Sequence, residues 1–97
     1  MIRVRFIPEA ARLIAKLPPE IKQLIRSAID DLRDHPRKGA ELAGDLAGYR
    51  SLKSRRYRII YRLNEEEGAL DIYHVGHRRD VYESLRALLE DSLGRKR

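Results

Sequence analysis

Hydrophobic and polar positions alternate along this chain with two periods, first two residues and then three to four. Ile2, Val4 and Phe6 alternate with Arg3 and Arg5, the pattern of a half-buried strand whose arginines face outward. Pro8 ends that strand and suits the first turn of a helix, and Ala10, Leu13, Ile14 and Leu17 follow at helical spacing. Pro18-Pro19 interrupts the helix, because a proline disfavours helical geometry in the residue before it. Ile21, Leu24, Ile25, Ala28, Ile29 and Leu32 then form a second, longer apolar stripe, with Glu20, Lys22, Arg26, Asp30 and Asp31 outside it. His35-Pro36 closes this helix, and the two helices together predict a hairpin laid over one face of a sheet.

From Pro36 to Gly48 the pattern weakens, and three glycines and a proline predict a loop. It leads into Tyr49–Arg62, YRSLKSRRYRIIYR, read as a pair of strands. From Tyr57 on, the two-residue period sends Tyr57, Ile59, Tyr61 and Leu63 to a core face and Arg58, Ile60 and Arg62 to the other, read as an open cationic platform. Asn64–Gly68 (NEEEG) predicts a solvated hairpin tip, and Leu70–Val75 the last strand. Asp80 followed by Glu83 resembles a capping box, and Val81, Leu85, Leu88 and Leu89 supply the stripe of a terminal helix starting near Asp80. The order is β-α-α-β-β-β-α, an α+β fold in which a small, antiparallel-rich sheet is packed by an N-terminal helical hairpin.

Composition changes the picture at three points. A length of 97 residues predicts one domain, 1–97, able to bury roughly 60 to 65% of its unfolded surface without disulfides or metal. The sequence has no cysteine, and His35, His74 and His77 lack zinc-ligand spacing, so neither a metal site nor any other cofactor is expected. No apolar run approaches the roughly 20 residues of a membrane span, and the N-terminus lacks a signal-peptide core, so no membrane partner and a cytoplasmic location are expected. The formal charge of +6 favours association with a polyanion, either a nucleic acid or an acidic protein.

Most of that charge sits where chemistry is conceivable. Arg50, Lys53, Arg55, Arg56, Arg58 and Arg62 lie in the Tyr49–Arg62 stretch with no acid among them, and Gly76–Tyr82 adds His77, Arg78 and Tyr82. Short connections favour antiparallel neighbours, so the end of the last strand is expected to bring Arg78 towards Arg58 and Arg50. Backbone donors of a helix starting near Asp80 would aim at the same corner. Cleaving RNA through its own 2′-hydroxyl requires stabilising a dianionic transition state, accepting one proton and donating another. Guanidiniums suit the first task, and a tyrosine can stack on a base or assist proton transfer. His77, beside Arg78, is the histidine placed to act as a base, whereas His74 reads as structural and His35 as a helix end. Tyr57 and Tyr61 read as packing aromatics, and Tyr82 as the functional one. The same groups could bind phosphate without cutting it.

These residues carry a family likeness. The β-α-α-β-β-β plan, Tyr57-Arg58-Ile59-Ile60-Tyr61 after a basic strand, and Gly76-His77-Arg78 with Tyr82 together resemble the RelE/ParE toxin superfamily over nearly the whole chain. The resemblance implies a RelE-like toxin domain that cuts mRNA on the ribosome without a metal and is neutralised by a cognate RelB-like antitoxin. It makes Arg58, Arg78 and Tyr82 the catalytic set, with Arg58 on the scissile phosphate, Arg78 on the phosphate or leaving oxygen, and Tyr82 stacking or transferring a proton. Arg50, Lys53, Arg55, Arg56 and His77 become RNA contacts. Arg50 falls where RelE has the first of two strand lysines and Leu52 at the second, with Lys53 on the opposite face. Arg56 replaces a glycine common before the Tyr-Arg pair. The alternatives are a ParE-like poison of DNA gyrase without nuclease activity, and a non-catalytic module that docks an acidic antitoxin helix.

Overall fold

The computed structural model describes residues 2–77 and 81–94. The first strand, β1 (Arg3–Phe6), leads into α1 (Pro8–Ala15) and α2 (Pro19–Asp34). Pro8 and Pro19 each stand at the start of their helix, where a missing N–H donor costs nothing. The apolar stripe of α2 buries Ile25, Ile29 and Leu32. The helix ends as the His35 N–H bonds the Asp31 carbonyl and Pro36 prevents continuation.

The segment expected to be a plain loop contains two short ordered pieces, β2 (Ala40–Glu41) and a 3-10 turn at Gly44–Leu46. Both are too short to show a period. β2 exists because its residues pair with Ser51 and Arg50 of the next strand. The rest follows as read: β3 (Arg50–Ser54), β4 (Tyr57–Asn64), β5 (Ala69–His77) and α3 (Val81–Gly94). Asp80, the expected cap of α3, lies outside the described residues.

The five strands form one sheet in the order β1-β5-β4-β3-β2. β2 through β5 are antiparallel neighbours, and β1 joins the far side of β5 in parallel. The helical hairpin and the three strands β2 to β4 together make the long connection that the parallel pairing of β1 with β5 requires. One sheet face packs on that hairpin through Leu52, Ile59, Tyr61, Leu70, Ile72 and Val75 against Ala10, Ile25, Ile29 and Leu32. Truncating one of the fully buried members, such as Ile25→Ala, is expected to cost about 2–5 kcal/mol.

The second face is not the open platform that the arginine spacing predicts. Ile60 on that face is fully buried with Leu85 of α3 and Leu46 of the 3-10 turn, and Tyr49, Tyr73, Tyr82 and Leu89 pack around them. This second, smaller core seats α3 against the sheet. The acidic tip is likewise engaged: Glu65 pairs with Arg37 and Glu67 with Arg5.

Candidate functional site

The site grows from the β3–β4 hairpin. Arg55 and Arg56 form its two-residue turn, and Arg55 takes a left-handed φ of 56°, a conformation that costs a side-chain-bearing residue roughly 1–2 kcal/mol. Cross-strand partners are Ser51 with Ile60, Leu52 with Ile59, Lys53 with Arg58 and Ser54 with Tyr57. Because side chains alternate, Ser51, Lys53, Arg58, Ile60 and Arg62 leave one face, while Arg50, Leu52, Tyr57, Ile59 and Tyr61 leave the other.

This register corrects the assignment of the two lysine positions. Lys53 shares the face of Arg58 and stands directly across from it, whereas Leu52 is buried in the helix-side core. Arg50 is the residue on the wrong side. Its Nη1 donates to the carbonyls of Gly39 at 2.8 Å and Arg37 at 3.3 Å. There it closes the loop after α2 beside Tyr61, whose hydroxyl donates to the Pro36 carbonyl at 2.7 Å and accepts from the Gly39 N–H at 2.9 Å. Burial pushes the Tyr61 phenol above its ordinary pKa, consistent with a structural clamp.

On the other face, α3 brings Tyr82 over the hairpin. The Tyr82 hydroxyl donates to Ser51 Oγ at 3.2 Å and accepts from Arg58 Nη1 at 3.4 Å, the second a long contact near the limit of hydrogen bonding. Arg58 is half-buried, and its Nε is buried with no partner among the described residues. No ion pair of Arg58 occurs among the described residues, whereas Arg5, Arg12, Arg37, Arg50 and Arg86 each meet a carboxylate. A guanidinium so placed cannot shed its charge, and an external oxyanion could complete its bonding.

The remaining expected contacts scatter. His77 stacks on Tyr57 with ring centroids 4.8 Å apart, and as the cross-strand partner of Tyr57 it leaves the face opposite Arg58. Arg55 and Arg56 are exposed at the turn, and Arg55 lines a surface hollow together with residues of α2 such as Glu20 and Leu24. Arg78 lies outside the described residues. His74 is buried, and burial lowers its pKa. Tyr49 meets Tyr73 edge-on at 4.9 Å, with the Arg62 guanidinium 6.0 Å from its ring centre. Those aromatics and Arg62 fill the same face one step away from Arg58.

Arg58, Tyr82 and Lys53 are therefore gathered, and Ser51 joins them although the sequence reading passed over it. Counting by twos back through a turn at Arg55-Arg56 would have found it. Among the described residues no group of three or more His, Asp or Glu side chains could hold a metal, and no helix is long and apolar enough to cross a membrane.

Comparison with known proteins bears on the family and the fold. The family described as the ParE toxin of type II toxin–antitoxin systems matches residues 3–82. The chain is 40% identical to Toxin RelG of Mycobacterium tuberculosis (strain ATCC 25618 / H37Rv) over 81 residues, covering 81% of this chain and 93% of the relative. The toxin–antitoxin complex RelBE2 from Mycobacterium tuberculosis contains a chain that superposes with a TM-score of 0.72 at 38% identity, over 79% of this chain and 98% of that one. A chain of the intact E. coli RelBE complex gives a TM-score of 0.71 at 19% identity, over 79% and 96%. At that lower identity the likeness concerns the fold.

Proposed function

The chain belongs to the RelE/ParE superfamily of toxins from type II toxin–antitoxin systems, and on that footing we propose that it is an endoribonuclease that cuts mRNA on the ribosome. The observation carrying this reading is the Arg58–Tyr82 corner: a half-buried guanidinium with no carboxylate partner among the described residues, held 3.4 Å from a tyrosine hydroxyl, with Lys53 across the strand pair.

In the proposed reaction the 2′-oxygen attacks the adjacent phosphorus and the bond from phosphorus to the 5′-oxygen breaks. The products are a cyclic phosphate and a free 5′-hydroxyl. One proton leaves the 2′-hydroxyl for solvent water, and one arrives at the 5′-oxygen from the Tyr82 hydroxyl. Arg58 would stabilise the charge that builds on the phosphoryl oxygens, a contribution of about 3 kcal/mol for one well-placed donor. Lys53 would add a second cation beside it. Tyr82 serves through its hydroxyl rather than as a stacking platform, since its ring packs with Ile60 and Leu85 while its oxygen meets Arg58. Arg78 is assigned by the resemblance to the phosphate or the leaving oxygen. Arg50 and His77 are reassigned to structure.

The proposed partners are the ribosome with its mRNA and a cognate RelB-like antitoxin. The RelBE complexes among the similar structures support the second. An acidic antitoxin segment would complement a chain with a formal charge of +6. A competing reading, a ParE-like gyrase poison, draws on the description of the matching family. Incubating purified protein with translating ribosomes and mapping mRNA ends separates the two. Cuts at the ribosomal A site that vanish in Arg58→Ala are expected. Intact mRNA with gyrase-linked DNA breaks would replace this reading with the second.

A further inference from the structure

We propose that Ser51 is a positioning residue for Tyr82, holding the tyrosine hydroxyl against Arg58; this rests on the ribonuclease reading above and names the group that orients its proton donor. Ser51 lies inside β3, where its cross-strand neighbours are Ala40 of β2 and Ile60 of β4. It is 4% exposed. Neither neighbouring side chain can satisfy a hydroxyl, and buried polar groups are hydrogen-bonded as a rule. Its partner is Tyr82, at 3.2 Å. Tyr82 thus meets two groups of different character. Arg58 can only donate, so it addresses a lone pair of the phenol oxygen. Ser51 can accept as well as donate, so it provides a resting place for the phenol's proton.

That difference matters when the proton moves. While Tyr82 is protonated, its O–H points to Ser51 Oγ and its lone pair to Arg58. In the reaction the Tyr82 O–H turns from Ser51 Oγ to the leaving 5′-oxygen and passes its proton there, and the electron pair of the former O–H bond stays on Tyr82. The Ser51 hydroxyl then turns about its Cβ–Oγ bond and donates to that oxygen, alongside Arg58. Water reprotonates Tyr82 once the product has left. Alanine at position 51 could do neither task. The ring of Tyr82 would still be seated by Ile60 and Leu85, with one of its two side-chain hydrogen bonds removed.

The test combines two readouts. In single-turnover cleavage of ribosome-bound mRNA, Ser51→Ala should slow the chemical step about tenfold, the loss of one hydrogen bond, at an unchanged half-saturating toxin concentration. Ser51→Thr, which keeps the hydroxyl, should stay within about threefold of the parent. In a Tyr82→Phe background the Ser51→Ala change should add less than about twofold, because its target is gone. Losses that multiply in the double variant would overturn the proposal, as would Ser51→Ala at the parental rate. The second readout uses the isolated protein: the Cζ carbon-13 resonance of Tyr82 should shift in Ser51→Ala and return towards its original position in Ser51→Thr. A resonance indifferent to Ser51→Ala contradicts the contact itself. Should the parent protein leave mRNA uncut, the ribonuclease reading fails and the resonance alone decides whether Ser51 holds Tyr82.

Discussion

Two arginines leave the same face of the sheet and are treated in opposite ways. Arg5 on β1 gives a bidentate grip to Asp71 on β5, with contacts of 2.6 and 3.0 Å, and a third bond of 2.5 Å to Glu67. Those carboxylates, Asp71 first, raise its pKa further above the usual guanidinium range. Arg58 on β4 has a neutral phenol at 3.4 Å and a buried Nε with no partner among the described residues. The first guanidinium is spent tying a parallel edge strand to the sheet. The second is half-buried with no counter-charge among the described residues, an arrangement that folding alone disfavours and that an incoming phosphate would relieve.

The largest expected effect lies at the unsatisfied arginine. Arg58→Ala should reduce mRNA cleavage by about 100-fold or more, the loss of one transition-state donor, with thermal stability unchanged or raised. Ribosome-bound cleavage assays and thermal melts of the same preparation check both halves. On the satisfied side the losses should appear in stability alone. A Cβ on Gly39 would sit 2.7 Å from the Tyr61 hydroxyl and 3.0 Å from the Ser51 carbonyl, so Gly39→Ala should destabilise by about 1–3 kcal/mol in urea unfolding. Arg50→Ala should cost about 1–2 kcal/mol by unbinding the carbonyls of Arg37 and Gly39, with cleavage per folded molecule intact. A cleavage defect in Arg50→Ala as large as that of Arg58→Ala would break the contrast between the two kinds of arginine.

The smallest effect is a pH dependence away from both corners. His74 is buried and its pKa is lowered by that burial, partly offset by the nearby Glu9 carboxylate. The unfolded chain therefore binds a proton that the folded chain refuses. Stability is greatest above the ordinary histidine value of about 6.5 and falls as pH drops through it. The melting midpoint should decline between pH 7 and pH 5, and His74→Gln should flatten that decline. The Glu9 and Asp31 carboxylates, held low chiefly by their hydrogen bonds to Arg12 and Lys38, add a loss of stability at more acidic pH.

Much of this architecture was legible because apolar period and proline placement dominate local structure. Pro8, Pro18-Pro19 and Pro36 punctuate the helices, and the alternation from Tyr57 onward assigned both faces of β4. β2 was hidden because two residues carry no period and exist as a strand only through pairing. The second core was hidden because Ile60 between two arginines looks like an isolated exposed residue until α3 covers it. At the site, Arg58 and Tyr82 were legible as residue types. The faces of Arg50 and Lys53 were not, since they depend on where the hairpin turns, and a left-handed Arg55 in place of glycine conceals the turn. Ser51 was missed for the same reason.

The most direct test is end-mapping of mRNA on translating ribosomes exposed in parallel to the parent protein, Arg58→Ala and Arg50→Ala, each confirmed folded. The expected result is A-site cuts by the parent and by Arg50→Ala and nearly none by Arg58→Ala. Equal cutting by Arg58→Ala, or mRNA left whole by all three while gyrase-linked DNA breaks accumulate, would contradict the assignment of the Arg58–Tyr82 corner as the place where RNA is cleaved.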